Sequence, residues 1–125
     1  MLYLYVAIGG AFGALCRFGM VNAIHGLLGR GSFPIATMSV NIIGSLLMGL
    51  AIGLIVSMMP RGKELHALLI IGALGGFTTF SAFSYEAYLL IERGAWLEAG
   101  LYIFGSVILG VAAFFAGMWL FKVMA

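Results

Sequence analysis

Long apolar runs alternate with short polar connections along this chain, and the runs have the length of membrane spans. Gly31 to Pro60 and Ala99 to Phe121 contain no charged residue, Leu65 to Tyr85 is likewise uncharged, His66 aside, and Leu2 to Leu28 is broken by the charge of Arg17 alone. A helix crosses the hydrocarbon core with about 20 residues, so the pattern predicts spans at Tyr3–Leu28, Pro34–Met58, Glu64–Glu92 and Trp96–Val123. The expected fold is therefore an all-α integral membrane protein, one domain over residues 1–125 with four transmembrane helices. The connections are Gly29-Arg30-Gly31-Ser32, Pro60-Arg61-Gly62-Lys63 and Glu92-Arg93-Gly94, with Pro34 suited to the first turn of the second helix. Tyr3, Tyr5, Trp96, Tyr102 and Trp119 fall near span ends, where aromatic residues favour the membrane–water boundary. The apolar start lacks a basic leader, which makes it a first span rather than a removable signal.

Composition narrows the function. Hydrophobic residues make up 64% of the chain, charged ones 8%, and aspartate is absent, which is too little charge to cover a soluble domain of this size. A net charge of +2 gives no reason to expect nucleic acid as a partner. The single cysteine, Cys16, reads as a small packed residue. No nucleophile–base pair or metal-ligand cluster points to an enzyme, and His25 and His66 sit near span ends as interfacial residues.

Charge also bears on orientation. Arg61, Lys63 and Lys122 lie on the side of the termini, and Arg30 and Arg93 lie on the other. Lysine and arginine asymmetry normally fixes topology. Here it is nearly absent, which leaves open an ordinary orientation or insertion both ways, with an antiparallel pair of copies. Small residues recur at helix-face spacing, as Gly9/Gly13, Gly49/Gly53, Gly72/Gly76 and Ala113/Gly117. Such faces let helices approach closely in lipid, and their number favours an oligomer, most simply a dimer.

The third span carries the most information. Gly75-Gly76-Phe77-Thr78-Thr79 places helix-weakening residues at mid-membrane, and a break is expected within Gly75–Thr79. The alternative is an intact glycine-rich packing helix. Broken backbone at this depth exposes carbonyls from one half-helix and amide hydrogens from the other, and the carbonyls suit a hard cation such as Na⁺. Phe80 and Phe83 share a helix face, with Phe77 continuing the row, and Thr78, Ser81 and Ser84 interleave with them. The positive edges of such rings suit a small anion. Thr37, Asn41 and Ser45 form a polar stripe on the second span, and Tyr102, Ser106 and Gly110 repeat the spacing on the fourth. Asn41 is open to two roles, interhelical contact or pore ligand, and the polar stripe favours the pore. Glu86 lies about two turns beyond the break. Arg17, well inside the first span, calls for water, carbonyls or an anion nearby. Donors dominate and no acidic ring is present, so the lining suits a small anion.

Three segments carry a family resemblance: Gly9-Gly10-Ala11-Phe12-Gly13-Ala14-Leu15-Cys16-Arg17, Thr37-Met38-Ser39-Val40-Asn41-Ile42-Ile43-Gly44-Ser45, and Gly75 through Glu86. Over essentially its whole length the chain resembles the Fluc (CrcB) fluoride channels. The resemblance implies passive export of fluoride from a bacterial cytoplasm across the inner membrane, lowering fluoride toxicity. It implies an antiparallel dual-topology homodimer with two pathways and a central Na⁺ on the backbone carbonyls of Gly75 and Thr78. It also implies Phe80 and Phe83 as pathway rings and Asn41 as the pore amide. Thr37, Ser81, Glu86, Tyr102 and Ser106 become further polar positions, and Arg17 becomes the first-helix arginine. Ala82 departs from the pattern, because many relatives carry a hydroxyl there. A small multidrug exporter is the main rival, but its first-span carboxylate is replaced here by Arg17. A non-transporting subunit of a membrane complex is the other.

Overall fold

The computed structural model describes residues 1–58 and 61–125. The elements are α1 (Leu2–Leu28), α2 (Ile35–Met58), α3 (Lys63–Leu65), a π-helical stretch (His66–Leu74), α4 (Gly75–Phe77), α5 (Phe80–Glu92) and α6 (Trp96–Met124). From α3 to α5 the chain forms one interrupted span, Lys63–Glu92, giving four helices long and apolar enough to cross a membrane. The expected boundaries agree with these to within one or two residues. The start of the expected Pro60–Lys63 connection lies outside the described residues.

The ends are set by local chemistry. The Pro34 carbonyl accepts the Met38 amide at 3.2 Å, so proline opens α2 where its missing N–H costs nothing. At the end of α5, Gly94 adopts φ 74°. Its amide donates to Ile91 O and the Ala95 amide to Leu90 O, both at 2.9 Å, which closes the helix with a Schellman cap. The π-helical turns were not expected from sequence; their wide register shows where the Gly75 amide reaches back to Ile70 O as well as Gly72 O.

Two helix pairs hold the bundle together: α2 along α6, and α1 along the π stretch and α4. Glycine makes both approaches possible. A methyl group at Gly9 would strike the Leu68 carbonyl and one at Gly13 the Ala73 carbonyl. Across the other pair, a methyl at Gly49 would meet Phe114 O and one at Gly117 would meet Leu46 O. Helices in lipid gain little from hiding apolar surface, so backbone contact and dispersion supply the attraction. The small-residue faces are thus occupied within a single chain. Their abundance is accounted for by packing inside one subunit, and the expectation of a dimer has to rest on other features.

The most deeply buried cluster lies between α2, α5 and α6, where Met38, Ala87, Leu90, Ala99 and Tyr102 meet. Tyr102 is fully buried, which corrects its placement at the membrane boundary: its hydroxyl turns inward to a carboxylate. Tyr3, Trp96 and Trp119 remain exposed near span ends, as expected. Most of the remaining surface, including Phe12, Leu15, Phe104 and Phe115, is outward-facing and apolar, as a bilayer requires.

Candidate functional site

The third span breaks at Thr78 (φ −84°, ψ 156°) and Thr79 (φ −148°, ψ 120°), both extended. The break falls inside the expected window, but Gly75 and Gly76 stay helical. Glycine here serves approach: a Cβ on Gly76 would come within 2.6 Å of Gly10 O. Thr78 still closes the preceding helical turn, and the chain leaves the helix at Thr79, whose backbone and side chain find other partners. Thr78 turns both its amide and its hydroxyl onto Leu74 O, at 3.0 and 2.9 Å. Thr79 donates its amide to Asn41 Oδ1 at 2.8 Å, and its carbonyl accepts from Asn41 Nδ2 at 3.0 Å. Its hydroxyl oxygen caps α5 by accepting the Ala82 amide at 3.1 Å.

These diversions have a definite outcome. In an unbroken helix the Thr79 amide would bond to the Gly75 carbonyl and the Ala82 amide to the Thr78 carbonyl. Asn41 and the Thr79 hydroxyl have taken those two donors. The carbonyls of Gly75 and Thr78, like those of Gly76 and Phe77 between them, are therefore left without their helical donors, and carbonyl oxygen is the ligand type a hard cation takes. The two positions expected to hold Na⁺ are among these four, and their donor type fits such an ion. Just beyond, the first amides of α5 present the positive end of a half-helix.

Asn41, open to two roles by sequence, acts as an interhelical clamp on the Thr79 peptide group. It also lines a cavity of about 280 Å³ at the break, together with Ser45, Thr78, Thr79 and Phe80. Two larger hollows, of about 780 and 920 Å³, are lined mainly by apolar residues on the side of the termini and carry little polar chemistry.

Glu86 anchors the other end of the site. Thr37 donates its hydroxyl to Glu86 Oε1 and Tyr102 donates to Glu86 Oε2, each at 2.7 Å. Three helices thereby converge on one carboxylate. Glu86 also lines a hollow of about 210 Å³ with His25, Ser32, Phe33 and Arg93. Between the two cavities runs a row of rings. Centroids are 5.5 Å apart for Phe80 and Phe83, 5.1 Å for Phe83 and Tyr102, and 5.8 Å for Tyr102 and Phe33, the last pair edge to face. Phe33 was missed by sequence reasoning, because a lone loop phenylalanine carries no periodic signal. Phe77 does not continue the row as expected. The break turns it away, and it packs, buried, beside Gly44.

Other expected residues fall around this frame. Ser106 lies in α6 with its hydroxyl buried and without a hydrogen-bond partner among the described residues. Ser81 is exposed, 3.4 Å from the Thr79 hydroxyl. Phe80 is 79% exposed on the single chain, so its outer face is free for lipid or for a second copy. Arg17 is half-buried on α1 and is not gathered into the site; among the described residues the arginine side-chain bond is made by Arg93, to Ser32 O at 3.0 Å. His25, expected at the boundary, is half-buried with Nδ1 unpartnered.

Comparison with known proteins adds an independent line. Residues 4–118 match the family described as CrcB-like protein, Camphor Resistance (CrcB). A Rhodopseudomonas palustris protein named fluoride-specific ion channel FluC is 43% identical over 122 residues, covering 98% of each chain. A Methylobacterium protein of the same name is 50% identical over 109 residues, 87% of this chain and 86% of the relative. A Thermus thermophilus protein, likewise so named, is 46% identical over 115 residues, 92% of this chain and 90% of its own length.

Proposed function

The chain belongs to the CrcB-like family, and from that premise we propose that it is a fluoride-selective channel. It carries fluoride passively down its gradient out of a bacterial cytoplasm, across the inner membrane, and so lowers fluoride toxicity. The observation that carries this reading is the row of rings lying between two cavities that each carry polar side chains, with hydroxyl and amide donors beside it and Glu86, the carboxylate of the site, already engaged. A small, strongly hydrated anion needs donors to replace its water and weak sites to let it leave. Ring edges and neutral donors supply contacts of that strength. A line of full positive charges would hold the ion too tightly.

In this mechanism the pathway residues are Asn41, Phe80, Phe83, Ser81, Thr37, Tyr102, Ser106 and Glu86. Asn41 has one amide hydrogen engaged with Thr79 and another to offer the anion. Thr37 and Tyr102 orient Glu86 and keep its charge from closing the route. Arg17 serves as a fixed cation away from the ring row.

Two copies in antiparallel orientation form the functional unit, a homodimer with two pathways. The near balance of Arg61, Lys63 and Lys122 against Arg30 and Arg93 supports insertion in both senses. The exposed face of Phe80 supports a second copy at the site. A structural Na⁺ at the dimer centre would be held by the Gly75 and Thr78 carbonyls of both copies, where it would neutralise the paired carbonyl ends.

Fluoride and chloride efflux from proteoliposomes tests the proposal. Fluoride should pass and chloride should be excluded, and Phe80→Ile or Phe83→Ile should greatly slow fluoride. Equal passage of both anions would overturn the selectivity, and unchanged flux in both variants would remove the rings from the mechanism.

A further inference from the structure

The polar rows of α2 and α6 lie in a common register. The two helices run in the same direction: Gly105 faces Met38, Gly110 faces Ser45, Gly49 faces Phe114 and Met118, and Gly53 faces Phe121. Residue numbers rise together along the contact. Thr37 and Tyr102 are level, joined through Glu86. One turn further along each helix Asn41 falls level with Ser106, and a turn beyond that Ser45 lies beside Gly110. At this last pair the row on α6 has no side chain. A Cβ built on Gly110 would sit 3.7 Å from Ser45 Oγ, so the hydroxyl comes from α2.

The pairs differ in what their hydrogens do. Those of Thr37 and Tyr102 are already given to the carboxylate. Elsewhere in the spans hydroxyls turn back onto a carbonyl four residues earlier, as Ser57, Thr78 and Ser84 do. Ser106 Oγ is buried with no partner, and no hydrogen bond from Ser45 is found among the described residues. Ser45 instead lines the cavity at the break, beside Asn41 and Phe80. For Ser106 a buried hydroxyl without an acceptor is an unfavourable arrangement unless something passing through accepts it, whereas the half-buried Ser45 hydroxyl is open to the same ion from the cavity.

We propose that Ser45 is a fluoride-binding residue, donating from α2 the hydrogen bond that α6 lacks at Gly110. The inference rests on the channel reading above and assigns it a further residue. In this scheme fluoride receives the Ser106 hydroxyl at the middle level and the Ser45 hydroxyl at the next, where the cavity opens toward Thr78 and Thr79.

Fluoride efflux from proteoliposomes decides the matter, using wild type, Ser45→Ala and the double variant Ser45→Ala/Gly110→Ser. Loss of the hydroxyl should slow fluoride about tenfold or more, the factor expected from one missing hydrogen bond to an anion. Moving the hydroxyl across to α6 should restore most of the rate, a result that a purely structural role for Ser45 would not give. Where the alanine variant fails to elute as a single species in detergent, Ser45→Thr and Ser45→Val, matched in shape, give the same comparison. Wild-type flux in Ser45→Ala, equal flux in the threonine and valine variants, or a slow alanine variant that Gly110→Ser leaves slow would overturn the assignment while the channel stands. A wild type that passes no fluoride removes the channel reading and this inference together.

Discussion

Replacing Asn41 by alanine removes both bonds that hold the third span open, and its cost follows from the geometry. The side chain accepts the Thr79 amide at 2.8 Å and donates to the Thr79 carbonyl at 3.0 Å. Alanine offers neither, and only water entering the cavity beside Asn41 could take their place at this depth. Each buried backbone group left without a partner costs about 1–3 kcal/mol, so the variant should lose about 2–6 kcal/mol, or less if water or relaxation toward a continuous helix supplies partners. Relaxation has its own signature, because the Thr79 amide would then return to Gly75 O. Reversible unfolding in mixed detergent micelles reads the stability, and amide exchange at Thr79 reads the local opening. A loss of about 2 kcal/mol corresponds to roughly a 30-fold shift in the unfolding equilibrium. A variant with wild-type stability and wild-type exchange at Thr79 would show that the clamp is incidental and that Asn41 does not hold the span open.

Three further outcomes follow from the packing and the caps. Gly13→Ala should destabilise the α1 contact by about 1–3 kcal/mol or more, since its methyl would meet the Ala73 carbonyl, whereas Gly10→Ala, with open space at that position, should be tolerated; the monodisperse fraction after detergent extraction separates them. Tyr102→Phe should lower stability by about 1.5–3 kcal/mol by stripping one donor from Glu86, and combined with Thr37→Val the effects should be non-additive in unfolding measurements, because both act on one carboxylate. Gly94→Ala should cost about 1–2 kcal/mol through the left-handed conformation alone, at φ 74°, and should appear as a lower unfolding midpoint with fluoride flux unchanged.

The four spans were legible because lipid demands uninterrupted apolar runs, and charge-free stretches such as Gly31 to Pro60 leave no other reading. The break was legible as a cluster of glycine and threonine, but its residue was not. Gly75-Gly76 looks weaker than Thr78-Thr79 on propensity, yet tertiary contact decides, since Gly76 is held close to Gly10 while Asn41 draws Thr79 out. The stripe of Thr37, Asn41 and Ser45 was visible as spacing. Its partners were not, because one is a peptide group on another span and another is Glu86, far along the chain. Tyr102 was misplaced for the same reason: nothing in its neighbours in sequence reveals a carboxylate waiting inside. The π-helical register of His66–Leu74 has no composition cue at all.

The diverted peptide bonds around Thr78 and Thr79 set apart the polarity at the centre of the protein from that of most binding sites. It is built from amide and carbonyl groups, which neither gain nor lose a proton under physiological conditions. Acidifying one face of the membrane would leave this inner pattern of partial charges as it is. A cell whose surroundings turn sour would still have the same electrical landscape at mid-bilayer.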